Sequence, residues 1–113
     1  MNDNDIFLIE AKHTKSNKLP SIGDIKDGLL KMILYCNLEN VKVNNKIYRS
    51  KPVLKLTSSK LDGNITTNST QNEIAKFFIT NDLKEKERII VKKLFEESRI
   101  NNFLCSIENG CIK

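Results

Sequence analysis

The sequence predicts an α/β domain with a mixed central sheet flanked by about three helices. Three observations predict it. Ile6 to Ala11 is a short apolar run interrupted only by Glu10. After a polar stretch, Ile22, Ile25, Leu29, Met32, Ile33 and Cys36 recur at three- and four-residue steps. Beyond them, strand-like runs alternate with two further amphipathic segments that open on capping signals.

Residues 6–11, rich in Ile and Phe, are expected to form a strand covered on both faces. The polar residues 13–20 end in Pro20 and should close that strand in a loop. Ser21 and Asp24 have the spacing of a capping box, which places a helix over about Gly23 to Leu38. Residues 41–48 alternate apolar with polar around Asn44 and Asn45, a pair that tolerates the positive φ of a tight hairpin. Pro52 to Thr57 reads as a separate strand, and the polar stretch from Ser58 to Ser69 as a mobile loop. Thr70 and Glu73 form a second capping box before Ile74, Phe77 and Phe78, so a short helix follows. A third helix is expected from Lys84 to Ile100, with Ile90, Leu94 and Phe95 inward. The last ten residues form a final strand or an ordered tail.

A chain of 113 residues supports one domain, residues 1–113, with a single core burying roughly two-thirds of the unfolded surface. Lys and Arg outnumber Asp and Glu by 19 to 14 and give a formal charge of +5, which favours polyanionic partners. Only Arg49, Arg88 and Arg99 supply the guanidinium suited to bidentate recognition of guanine or phosphate. No apolar run approaches the ~20 residues of a membrane span, and no secretory signal opens the sequence, so a cytoplasmic protein is expected. Cys36, Cys105 and Cys111 are odd in number and irregularly spaced, as in reduced thiols, and lack the spacing of a zinc knuckle. A glycine-rich phosphate loop and a Gly-x-Ser-x-Gly elbow are both absent, so neither a nucleoside triphosphatase nor a serine hydrolase finds support.

Glu10-Ala11-Lys12 carries the candidate chemistry. A carboxylate two residues before a lysine also occurs at Asp24-Ile25-Lys26 and Asp82-Leu83-Lys84, about as often as chance supplies. The first differs in context, because it ends an apolar strand. Strand geometry puts Glu10 and Lys12 on one face and Phe7, Ile9 and Ala11 on the other. A charged pair there needs water, a metal or a partner, since burying either charge alone costs several kcal/mol. Phosphodiester hydrolysis uses both functions side by side: carboxylate oxygens for a hard divalent cation and an ammonium for charge building on phosphoryl oxygens. The small Ala11 leaves its backbone carbonyl free as a further ligand. An ordinary ion pair at a strand end is the alternative.

The stretch from Asp5 to Asn44, with apolar strand, basic polar loop and long helix in that order, resembles the catalytic strand and following helix of type II restriction endonucleases of the PD-(D/E)XK superfamily. Glu10 and Lys12 stand at the E-x-K half of the signature. The resemblance covers about residues 5–57 well and the remainder loosely. It implies a partial restriction-endonuclease-like core, Mg²⁺ held by Glu10 and the Ala11 carbonyl, catalysis by Glu10 and Lys12, double-stranded DNA as substrate and a homodimer that cuts both strands. Lys15, Lys18 and Lys26, in the loop and helix start beside the site, become candidate phosphate contacts. His13 is either a general base or phosphate contact, or a strand-end residue on the Ala11 side.

The sequence departs from the pattern at the aspartate of the preceding strand. Only Asp3 and Asp5 lie upstream of Glu10, and at ~3.3 Å per residue Asp5 lies about 16 Å along the strand. The resemblance therefore implies an N-terminal portion, carrying the first helix, the first strands and that aspartate, which this chain lacks. The other open readings are a non-catalytic DNA-binding or protein-interaction domain and a repair or junction-resolving nuclease of the same superfamily.

Overall fold

The computed structural model describes residues 5–37 and 40–110. The elements run β1 (Asp5–Thr14), α1 (Ile22–Cys36), β2 (Asn40–Val43), β3 (Lys46–Ser58), β4 (Asn64–Thr66), α2 (Gln71–Thr80), α3 (Glu85–Ile100) and β5 (Leu104–Asn109). The fold is α/β, with three helices and a mixed five-stranded sheet ordered β1-β3-β5-β4, β2 pairing with β3. β1 and β5 lie parallel to β3 on opposite edges, and β2 and β4 add antiparallel pairs.

The helix starts follow from local chemistry. The Ser21 hydroxyl accepts from the Asp24 N–H at 3.1 Å, which settles one of the donors left free at the start of α1. Thr70 and Glu73 complete a reciprocal capping box at 3.2 and 2.8 Å. The Glu87 carboxylate does the same for the Lys84 N–H at 2.9 Å before α3. α1 ends at Cys36, two residues short of the expected limit, and Leu38 lies outside the described residues.

Two expectations need correction. The hairpin arm and the strand from Pro52 are one continuous strand, β3. Pro52 is tolerated because it falls in the interval after β2 pairing has ended, at Arg49, and before β5 pairing begins, at Val53. Residues 58–69 are not a mobile loop. They contain β4 and bury Ser58, Leu61 and Ile65, and the buried Asn81 side chain clamps Asp62 through both its backbone N–H, at 2.7 Å, and its carbonyl, at 3.0 Å.

All three helices cover one face of the sheet. Leu54 and Leu56 of β3, Cys105 and Ile107 of β5 and Ile65 of β4 form a single buried cluster with Ile25 and Met32 of α1, Ile74, Phe77 and Phe78 of α2, and Val91, Leu94 and Phe95 of α3. Among the described residues no helix covers the other face, so the expectation that β1 is covered on both sides fails: Phe7 and Ile9 remain 47% and 59% exposed. β1 is also an edge strand, and among the described residues it pairs with β3 alone. α1 likewise leaves Ile22 and Ile33, counted in its apolar period, exposed along with Leu30 and Leu34.

Candidate active site

Glu10 and Lys12 pair with Leu54 and Leu56 of β3 and share their face, the one beneath α1. Neighbouring residues of a parallel pair point the same way, so the strand delivers both charges to the margin of the core. α1 comes close because Gly28 has no side chain: a Cβ there would lie 2.6 Å from Leu54 Cδ1. That approach carries Asp27 and Lys31, one turn apart on the flank of α1 that faces β1, to the two strand residues.

The four side chains form one network. Lys12 Nζ lies 2.7 Å from Asp27 Oδ2 and 3.6 Å from Glu10 Oε1. Lys31 Nζ lies 3.4 Å from Glu10 Oε1 and 3.5 Å from Asp27 Oδ2. Glu10 and Lys12 keep only 17% and 18% of their side-chain surface, whereas Asp27 and Lys31 are far more open. The hydrogen bond to Asp27 raises the Lys12 pKa above its ordinary value, with the charges of Asp27, Glu10 and Asp24 adding to it. The hydrogen bond from Lys12 holds the Asp27 carboxyl below the usual carboxylate range, with help from the charges of Lys12 and Lys31. Lys31 is raised chiefly by its hydrogen bond to Glu10.

Two carboxylates thus converge on the same pair of cations from two different elements. Magnesium commonly keeps several waters and binds through one or two carboxylates plus substrate phosphates, and Glu10 with Asp27 fits that requirement. No group of three or more His, Cys, Asp or Glu side chains suited to a metal occurs among the described residues. Asp5 shares the open face with Phe7 and Ile9, opposite Glu10, and so supplies no third carboxylate; Asp3 lies outside the described residues. Ala11 stands between the pair with its side chain on the open face, as strand alternation requires.

The remaining candidates are dispersed. His13 is on the Ala11 side: its Nδ1 lies 2.6 Å from Thr57 Oγ1, and it packs against Gly110, where any Cβ would collide with Thr57. Lys15 is exposed in the loop after β1. Lys18 donates to the Asn81 carbonyl and ties that loop to the end of α2. Lys26 lies on the opposite flank of α1 from Asp27, beside a groove of about 670 Å³ between α1 and α3 that Ile22, Leu29 and Ile90 help to line.

Asp27 and Lys31 escaped the sequence reading although their four-residue spacing was visible. The missing information was which flank of α1 faces β1, and the close packing at Gly28 decides that. The described residues contain no helix long and apolar enough to cross a membrane. No family model matches the sequence, and neither a curated protein nor a solved structure matches it.

Proposed function

We propose that the chain carries the hydrolytic site of a Mg²⁺-dependent DNA endonuclease similar to type II restriction enzymes, acting on double-stranded DNA. One observation carries the reading: Glu10 and Lys12 leave the same face of β1 with 3.6 Å between their charged atoms, and a second carboxylate, Asp27, lies against the same ammonium. Glu10 and Asp27 would hold the cation, with the Ala11 carbonyl as a further oxygen. When bound, the ion would supply Lewis acidity and a water more acidic than bulk water.

The chain's own residues divide the rest of the work. Lys12, its pKa raised, stays an ammonium across the physiological range, so it offsets charge growing on a phosphoryl oxygen and does not accept a proton. Lys31, the more exposed ammonium, lies 3.4 and 3.5 Å from the two carboxylates and would have to move aside to free Glu10 and Asp27. Lys15, exposed in the loop after β1, is available for the phosphate backbone, whereas Lys26 faces the groove between α1 and α3 away from the site and Lys18 must first leave Asn81.

The test is cleavage of linear duplex DNA with Mg²⁺ or Mn²⁺, followed by gel electrophoresis. Glu10→Ala should abolish cleavage and spare most DNA binding, and retained cleavage overturns the assignment. Branched substrates separate a junction-resolving activity from a restriction-like one. The mutual neutralisation of the four charges favours a second reading, a non-catalytic binding domain in which the network only fastens α1 to β1. Calorimetric titration with either cation decides: no heat that depends on Glu10 selects that reading.

A further inference from the structure

Glu10 and Asp27, the two carboxylates assigned to a cation, already share a positive charge that reaches them from α1. Lys31 Nζ lies 3.4 Å from Glu10 Oε1 and 3.5 Å from Asp27 Oδ2, almost equidistant from the two oxygens. A bound cation would supply the same thing to the same two groups, so the ammonium stands where the ion's charge is wanted.

The two lysines of the network hold these carboxylates differently. Lys12 Nζ is 2.7 Å from Asp27 Oδ2, the length of a strong charge-assisted hydrogen bond, and its side chain is only 18% accessible. Both Lys31 contacts exceed the about 2.7–2.9 Å of such a bond, and its side chain is 41% accessible. Asp27 is similarly open, at 47%, so solvent reaches the network from the side that Lys31 occupies. The flexible four-carbon stem of a lysine lets the ammonium leave while the helix backbone stays in place. Of the two cations, Lys31 is the one that can yield.

We propose that Lys31 is a tethered competitor for the cation: its ammonium occupies the carboxylate pair until a divalent ion displaces it, and so sets the cation concentration at which the site loads. The proposal rests on the nuclease reading only in taking Glu10 and Asp27 as the groups that hold a cation. Electrostatics give the competition its direction. Within the network two carboxylates and two ammoniums cancel, so an approaching divalent ion meets a neutral site; without the Lys31 charge it would meet a negative one. An ammonium on its own side chain competes at a high effective concentration, so the ion must reach a threshold before it wins. If Lys31 served only to steady α1 through its four-residue pairing with Asp27, its removal would leave cation affinity where it was.

Calorimetric titration of the full chain with MnCl2 tests this, with thermal melts at each cation concentration as an independent readout. Lys31→Gln and Lys31→Ala remove the charge at an accessible position and should bind Mn²⁺ roughly tenfold tighter than the wild-type chain, the effect of one unit charge lost beside two carboxylates in a well-solvated site. Added Mn²⁺ should then raise their melting temperatures at lower concentrations than it does for the wild type. Lys31→Arg keeps the charge and should stay within about twofold of the wild type, as should Lys86→Gln, which loses the same charge from an exposed position on α3 outside the network. Equal affinity in the wild type and both neutral variants overturns the proposal, and if Glu10→Ala removes that binding, the cation site of the nuclease reading still stands. Tightening matched by Lys86→Gln also overturns it, since net charge alone then accounts for the effect. If no variant binds the ion, the proposal and that cation site fall together.

Discussion

Gly28→Ala sets two effects of opposite sign against each other at the point that brings the charged network together. In an ordinary helix interior the change stabilises by about 1 kcal/mol, because alanine loses less backbone freedom. Here the new methyl would sit 2.6 Å from Leu54 Cδ1, and Leu54 is fully buried. Carbon atoms rest at about 3.5–4.0 Å, so α1 must lift by about 1 Å or Leu54 must leave its rotamer, a cost of about 1–3 kcal/mol. The net expectation is a loss of about 1 kcal/mol, read as a lower urea midpoint at unchanged slope. The same lift would stretch the 2.7 Å contact between Lys12 and Asp27 beyond hydrogen-bond length and loosen the charged network. In a Leu54→Ala background, itself about 2–5 kcal/mol less stable, the obstruction is gone and Gly28→Ala should become stabilising. If Gly28→Ala stabilises the wild-type chain by about 1 kcal/mol, helix propensity alone governs the site and the close-packing account is wrong.

Three further expectations follow from other parts of the structure. Asn81→Ala removes three hydrogen bonds, two to Asp62 and one to the Phe77 carbonyl at 2.9 Å; it should cost about 1–3 kcal/mol and speed amide exchange across residues 60–66, whereas unchanged exchange would mean that Asn81 does not hold the segment. Asp27, its folded pKa depressed, contributes stability that is present above 3.8 and lost as pH falls through the lower folded value, while Lys12 and Lys31 contribute stability lost only as pH rises through values above 10.5; Asp27→Asn should therefore flatten the acid limb of a melting-temperature profile, and an unaltered limb would contradict the network. Burial pushes the Cys105 thiol up to about 12 and raises Cys36 as well, so at pH 8 peptide-level mass spectrometry should find Cys105 unalkylated in the folded protein and reactive after unfolding.

The order of strands and helices was legible in the sequence because each signal was local. Ser21 and Thr70 cap the helices they announce, and Asn44 and Asn45 adopt φ of 51° and 67° in the hairpin they suggest. What failed was non-local. A polar composition suggested mobility for residues 58–69, yet Leu61 and Ile65 are core residues held by a side chain far along the chain. The apolar run of β1 suggested two covered faces, and nothing in its own residues says that every helix packs on one side. At the candidate site, same-face projection of Glu10 and Lys12 followed from strand alternation alone. Asp27 entered only with the packing of α1, and the Ala11 side of the strand gave His13 to Thr57 in place of the site.

The parallel arrangement of β1, β3 and β5 has a consequence for how the chain acquires its structure. Asp5 pairs with Arg49, and Val53 with Leu104, so each central ladder closes only after a long excursion of backbone. Loop closure of that length must precede any contact that rewards it, which places folding on a slow timescale of about milliseconds to seconds. During synthesis β1 leaves the ribosome long before β3 exists, with Ile6 to Ile9 unsheltered meanwhile. The interval before the ladder closes is therefore when this chain is most prone to aggregate and most in need of a chaperone.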